Sequence, residues 1–251
     1  MRLALKFAYN GKHFSGYARQ PHQRTIEGEL IQLLKKHGVT DDAKAACFRT
    51  ASRTDCGVSA LGNVCAFDTS VAGDAILSEV SDERSDIFIY GKQQVDSGFY
   101  PRYAKQRQYR YYLRKDTLDV DAVLSTAALF TGEHDFRNFA RVEPGKNPVQ
   151  SIDAIIIAED ETFFIIDFYA QTFLWNQIRR MISALQKVGA GKLTKNQVHT
   201  ALAHPENRVD FQLAAPEPLI LKDVQYDFSF DVIQNCTKRL SAFEKRIIAS
   251  L

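Results

Sequence analysis

The chain has 251 residues, of which 45% are hydrophobic and 25% are charged, and its formal net charge is +2. This composition excludes general disorder, and no apolar run approaches the roughly 18 residues that a membrane-spanning helix needs. The opening residues are too short and too interrupted an apolar run for a signal peptide. The four cysteines show no CxxC pairing and the six histidines no HExxH pattern. We therefore expect a cytoplasmic protein without a membrane partner, a metal or a cofactor.

The first half of the chain mixes strands and helices. An alternating run at 3–9 predicts a strand, and the following helix has Thr25 as its N-cap and Gly38 as its stop. Three further strands are predicted near 46–50, 61–68 and 86–95, with a short helix near 73–80.

The second half opens with a strand in which Tyr109, Tyr111 and Leu113 share one face. Two apolar runs, 152–158 and 162–170, are too close for a crossover connection, so they predict an antiparallel hairpin. The other predicted elements are helices near 119–130, 172–188, 194–203 and 238–249, a polar loop at 131–148 and a strand near 219–226. The predicted fold class is α+β, with an N-terminal half at 1–104 and a C-terminal half at 105–251.

One carboxylate stands out in the stretch TASRTDCGVSALGNVCAFDT, residues 50–69. Asp55 lies between Arg53 and Gly57, and the segment then runs into apolar, strand-like sequence. One interpretation is an ordinary turn, since Asp and Gly are common turn residues. The other is that the turn presents an ionised carboxylate that acts as a nucleophile or a base.

The segment FYPRYAKQRQYRYYLRK, residues 99–115, has six basic and six aromatic residues among its seventeen. Basic side chains neutralise phosphates and aromatic rings stack on unpaired bases, so the segment favours a strand of RNA or DNA. The alternative is a solvated edge strand that its arginines keep soluble. The candidate RNA-binding residues are Arg102, Lys105, Arg107 and Arg110.

Arg179 borders the apolar stripe of the predicted long helix, whereas Arg180 points further toward solvent. A boundary arginine commonly extends its charged end to water along the apolar surface. The alternative is that Arg179 reaches into a cleft and pairs with a carboxylate, which would keep a buried Asp ionised.

Several blocks of the sequence together resemble the tRNA pseudouridine synthase A family. RTDCGVSA is similar to the signature around the catalytic aspartate of that family. Further similar blocks follow in the order of the family, from residue 1 to about 227: KFAYNGKHFSGYARQP with TIEGEL, RQYRYYL, GEHDFRNFA, FLWNQIRRMISALQKVGAGK and APEPLILKDVQYD.

The resemblance implies an enzyme that isomerises uridine to pseudouridine in the anticodon stem-loop of tRNA, at tRNA positions 38–40. Asp55 would be the essential catalytic residue and Arg179 would pair with it. Tyr109 would stack on the uracil, and Arg53 would assist in extruding the target base. The resemblance also implies two ferredoxin-like halves with a joined, largely antiparallel sheet flanked by helices, a central basic cleft and a homodimer that binds tRNA across both chains.

The chain departs from the family at two positions near the signature. Ser59 stands where the family commonly has histidine, and Cys56 stands where it has a small residue. These differences bear on target preference more than on activity. Two alternatives stay open, namely a synthase of the same fold that acts on another RNA or tRNA position, and an RNA-binding protein without activity.

Overall fold

The computed structural model describes residues 1–40, 42–80, 82 and 84–251. The chain forms two compact units, one made of 1–105 with 220–251 and the other of 106–219. The C-terminal segment from residue 220 thus groups with the first unit, although the sequence prediction assigned it to the second half. The predicted domain division stays a prediction, because a grouping by contacts does not test whether each half folds independently.

The helices and strands have the following bounds, given in chain order within each class. The strands are β1 Arg2–Tyr9, β2 Arg49–Thr50, β3 Ser59–Asp68, β4 Ile87–Val95, β5 Gln106–Arg114, β6 Gly132–Asp135, β7 Val149–Ile152, β8 Ala154–Glu159, β9 Phe163–Ala170, β10 Leu219–Gln225 and β11 Asp231–Val232. The α-helices are α1 Ile26–Lys36, α2 Gly73–Val80, α3 Val120–Ala127, α4 Gln177–Gly189, α5 Lys195–Ala203 and α6 Cys236–Ile248.

The first unit is built on a β-α-β-β-α-β sequence of elements. Strand β1 lies between β4 and β3, and β2 pairs with the far side of β3, all antiparallel. In this register Leu5 lies opposite Cys65 on β3 and Lys92 on β4. The element order and strand order are those of the ferredoxin-like arrangement. Strand β10 adds a parallel neighbour at the start of β3, and β11 pairs antiparallel with β4.

The second unit has its own antiparallel strands in the order β5, β9, β8, with β6 and β7 forming a separate two-stranded sheet. Tyr109 on β5 lies opposite Phe168 on β9. The β8–β9 hairpin confirms the antiparallel pair predicted from its two apolar runs. Helices and mostly antiparallel strands in both units confirm the predicted α+β class.

The predicted start of the long helix near residue 172 is wrong, since α4 begins at Gln177. Asn176 adopts a left-handed backbone with a φ of 63°, which an α-helix does not continue through. The backbone N–H of Leu174 donates instead to the side-chain oxygen of Gln177 at 2.8 Å. Residues 172–176 therefore precede the helix and do not form its first turn.

Local signals at other helix starts are confirmed. Thr25 accepts a hydrogen bond from the N–H of Gly28, and Thr194 forms a reciprocal capping box with Gln197. The prediction of a polar loop at 131–148 is wrong at its start, because Gly132–Asp135 form strand β6, which pairs with β7. Within the part of the chain that the structure describes, no helix is long and apolar enough to cross a membrane.

Candidate active site

Asp55 lies in the connection between β2 and β3, residues 51–58, in the first unit. Its side chain is half-buried, whereas Arg53 and Cys56 on either side are exposed. Ser52 and Thr54 are buried. The side chains of Ser52 and Thr54 are thus enclosed within the unit, while Asp55 is partly open to solvent.

Three buried hydrogen bonds hold the segment that precedes Asp55. The hydroxyls of Tyr9 and Thr54 are 2.8 Å apart, and the backbone N–H of Tyr17 donates to the Thr54 carbonyl at 3.2 Å. The side-chain amide of Asn63 donates to the Ser52 carbonyl at 2.9 Å. A loop held by buried partners of this kind has a fixed backbone before any substrate arrives, and a fixed backbone helps to position the catalytic group that it carries.

A tight turn follows Asp55, as the Asp-Gly pattern predicts. The N–H of Val58 donates to the Asp55 carbonyl at 3.2 Å, and Gly57 has a φ of 85°, a conformation that favours glycine. The turn is packed against the backbone of Gly11, the first residue of a short 3₁₀-helix, Gly11–His13. A Cβ added at Gly11 would lie only 2.1 Å from the carbonyl oxygen of Val58.

We expect Gly11→Ala to destabilise the protein by about 1–3 kcal/mol, because backbone on both sides must move to relieve the overlap. Denaturant unfolding followed by circular dichroism measures the change. Gly98→Ala is the matched control, since a Cβ at Gly98 meets nothing within 4 Å and its φ is not in the left-handed range. Equal midpoints for the two variants would show that the contact between Gly11 and Val58 is not close in solution.

Arg179 lies in the first turn of α4, in the second unit, and its side chain is half-buried. Its Nε donates to the Ala214 carbonyl at 2.9 Å, and its own carbonyl accepts from the Ala214 N–H at 3.2 Å. The backbone bond ties the segment around Ala214 to the helix, and the bond from Nε ties the guanidinium to that segment. Burial raises the pKa of the nearby Tyr111 hydroxyl, and the positive charge of Arg179 opposes that shift.

Tyr109 is on β5 and is 9% exposed. Its ring packs edge to face with Phe173, with 5.4 Å between the ring centroids. The rigid strand and this aromatic contact hold the ring in one orientation. A fixed aromatic ring of this kind is suited to stacking on a base that has left its own stack.

The basic residues of the segment 99–115 have different environments. Arg107 is 6% exposed and donates to the Gln171 carbonyl. Arg110 makes two hydrogen bonds to Asp167, at 2.8 and 2.7 Å, and this carboxylate raises the pKa of Arg110.

Closer to the start of the same segment the side chains face solvent. Arg102 and Lys105 are exposed, and Lys105 forms an ion pair with Asp227. Tyr103 is 82% exposed, and its ring centroid lies 5.4 Å from that of Tyr100. The binding of RNA by these residues stays a prediction.

The structure brings Arg53 and Asp55 together in one loop of the first unit, and it places Tyr109 and Arg179 in the second unit. The combined role of the four residues therefore stays a prediction. Among the described residues, no cluster of three or more His, Cys, Asp or Glu side chains is arranged to hold a metal ion.

Comparison with known proteins decides the family. A family model described as tRNA pseudouridine synthase matches residues 126–227. The tRNA pseudouridine synthase A of Thermococcus sibiricus is 44% identical over 90% of this chain and 85% of its own length. That of Thermococcus onnurineus is 42% identical over the same shares, and that of Methanobrevibacter smithii is 38% identical over 90% of this chain and 83% of its own length. The chain belongs to the tRNA pseudouridine synthase A family.

Membership in the tRNA pseudouridine synthase A family confirms the resemblance seen in the sequence blocks, and it makes the protein a pseudouridine synthase, an isomerase. A likeness of the fold also exists to the crystal structure of a Cbf5-Nop10-Gar1 complex, over 72% of this chain and 46% of that chain. The sequence identity to that chain is 13% and the TM-score is 0.38.

Sequence reasoning missed the residues that hold the Asp55 loop of the synthase. Asn63 is fully buried on β3, where its side-chain oxygen also accepts from the N–H of Val64 at 2.9 Å. The signal for it was a single amide inside the apolar run LGNVCAF, because buried polar groups need partners. Tyr9 gave no such signal, since a tyrosine in an alternating strand fits an ordinary core position.

Proposed function

We propose that this synthase isomerises uridine to pseudouridine in the anticodon stem-loop of tRNA, at tRNA positions 38–40, with Asp55 as the essential catalytic residue. The observation that carries the proposal is the half-buried carboxylate of Asp55 on a loop fixed by buried hydrogen bonds. Family membership supports the substrate, since the similar proteins are named tRNA pseudouridine synthase A.

The reaction breaks the N1–C1′ bond, turns the uracil, and forms a C5–C1′ bond. The hydrogen on C5 leaves as a proton to a base, and N1 gains a proton, so no oxidant or reductant is consumed. Asp55 acts as a nucleophile or as a base, either at the sugar or at the uracil ring. Both roles need the ionised form of the carboxylate.

Arg179 pairs with the Asp55 carboxylate in this proposal and keeps it ionised when the substrate displaces water. Its anchoring to Ala214 supports the role, because a guanidinium with a fixed plane loses little freedom on pairing. Tyr109 stacks on the target uracil. Extruding the target nucleotide from its stack costs a few kcal/mol. The exposed Arg53, two residues before the carboxylate, assists in holding the extruded nucleotide.

The segment 99–115 supplies further contacts to the RNA in this proposal. Arg102 and Lys105 contribute from exposed positions, where a phosphate can approach them directly. Arg107 and Arg110 contribute positive charge, while their hydrogen bonds to Gln171 and Asp167 hold the strand. We also propose a homodimer, and a cytoplasmic location where tRNA is processed.

The test is tritium release from a tRNA transcript labelled at C5 of uridine, since only replacement of the C5 hydrogen frees the label. A second set of transcripts carries cytidine in place of each anticodon-arm uridine, one at a time, and a further transcript carries cytidine at positions 38, 39 and 40 together. We expect release from the full transcript and a loss confined to substitutions at positions 38–40. Release that persists when all three are cytidine would move the target elsewhere, and no release from any tRNA would point to another RNA.

A further inference from the structure

A pocket of about 410 Å³ on the second unit is lined by four arginines, Arg137, Arg141, Arg180 and Arg208. One carboxylate, that of Asp210, also lines it. The pocket is formed by the chain after β6, the first turns of α4 and the segment after α5. No part of it comes from the residues assigned above to catalysis.

The backbone around the pocket is fixed by a buried asparagine. Asn138 is 2% exposed, and its side-chain amide donates to the carbonyls of Ala201 and Asn207, each at 3.0 Å. Its side-chain oxygen accepts from the N–H of Val209 at 3.2 Å. The two chain segments that carry Arg137 and Arg208 are therefore tied together beneath the pocket.

The four guanidinium groups are not all neutralised by carboxylates. Arg180 pairs with Asp210 at 2.6 Å, and Arg137 pairs with Asp135. Within the described residues, Arg141 instead lies over the Trp175 ring, 4.1 Å from its centroid. Arg208 donates to the Arg137 carbonyl at 2.9 Å, and its charge acts on Asp135, whose pKa it helps Arg137 to lower.

The charge of the lining favours an anion. Four guanidinium groups, the Asp210 carboxylate in the lining and the Asp135 carboxylate that pairs with Arg137 give a formal charge of +2, from four minus two. Hydrogen bonds from the Gln212 N–H and from Arg180 lower the pKa of Asp210, so its charge is already included at neutral pH. Like charges held together repel one another, and an anion with several acceptor oxygens relieves that repulsion. Planar guanidinium groups are suited to the bidentate binding of phosphate.

We propose that this pocket binds a backbone phosphate of the RNA substrate. The proposal rests on the proposed function, because the same RNA supplies the reacting uridine and the phosphate. Arg180 directly follows Arg179 in α4, so the phosphate belongs to a nucleotide close to the reacting one. Such a contact sets the register of the RNA without reading its sequence.

The first test measures tRNA affinity by fluorescence anisotropy for Arg208→Gln and Arg141→Gln at several salt concentrations. A hydrogen bond to a charged group contributes about 1.5–3 kcal/mol, so we expect Kd to rise about tenfold or more. The slope of log K against log salt should fall in magnitude by about one for each lost contact. Lys195→Gln removes an exposed charge from the same unit outside the pocket and is the matched control.

The second test reverses the sign, so that a loss of folding cannot imitate the expected result. Asp210→Asn keeps an oxygen for the Gln212 N–H but removes the negative charge beside Arg180. We expect tighter binding of tRNA, by about threefold or more, with a steeper salt dependence. Arginine variants that bind like Lys195→Gln, or an Asp210→Asn variant that binds no tighter than the unsubstituted chain, would overturn the proposal.

The failure of this proposal can be told apart from failure of the proposed function. Tritium release depends on the target uridine and on Asp55, and it is measured on the chain with an intact pocket. Unchanged affinities in the arginine variants, together with normal release at positions 38–40, would overturn phosphate binding by the pocket and leave the proposed function supported.

Discussion

Asp55→Asn is expected to abolish pseudouridine formation, with a fall in the rate constant of at least about 10⁴-fold at saturating tRNA. Removing a group that forms or breaks bonds commonly costs this much, and asparagine can neither attack a carbon as an anion nor accept a proton. The loop should keep its shape, because asparagine has nearly the size and shape of aspartate and the buried bonds of Thr54 and Ser52 are left intact. The measurement is single-turnover tritium release from C5-labelled tRNA.

Binding separates a catalytic role of Asp55 from a structural one. We expect the Kd of Asp55→Asn for tRNA to stay within about threefold of that of the unsubstituted chain, since the variant loses no group that contacts a phosphate. Asp96→Asn, an exposed aspartate in the same unit, is the matched control and should keep full turnover. A folded Asp55→Asn variant that loses binding and turnover together would contradict the catalytic role.

Arg179→Lys is expected to lower the rate constant by about 100-fold while tRNA binding changes little. Lysine keeps the positive charge but lacks the planar fork, so it cannot both donate to the Ala214 carbonyl and present two parallel N–H groups to a carboxylate. A hydrogen bond to a charged group contributes about 1.5–3 kcal/mol, and a 100-fold fall corresponds to about 2.8 kcal/mol, so the expected effect is that of losing one such bond. Rate constants from single-turnover tritium release measure the effect, and fluorescence anisotropy measures the affinity for tRNA.

A matched substitution tests whether the effect is specific to the proposed site. Arg246→Lys, on the exposed part of α6, makes the same change outside that site and should leave the rate constant unchanged. An Arg179→Lys variant that reacts at the unsubstituted rate would contradict the pairing with Asp55.

Helix boundaries show where local sequence is a sufficient guide. Thr194 and Gln197 satisfy each other across one turn, and that start was predicted correctly because both partners lie within four residues. The start of α4 was predicted too early because its apolar periodicity continues backward to Phe173. The left-handed backbone at Asn176 sets the helix start, and the side-chain oxygen of Asn176 is buried. No local sequence pattern predicts this backbone conformation.

The sequence alone determined the α+β class, most helices and strands, the family, and the four residues proposed for catalysis and base binding. Periodicity and caps depend on neighbours a few residues apart, and family motifs are short and contiguous, so both can be seen in the printed chain. Only the tertiary structure placed Tyr9 on Thr54 and Asn138 beneath the arginine pocket, through bonds between residues 45 and 63–71 positions apart. Such contacts depend on how whole elements pack, because a buried polar group bonds to whichever partner the fold brings within 3 Å or so, at any separation along the chain.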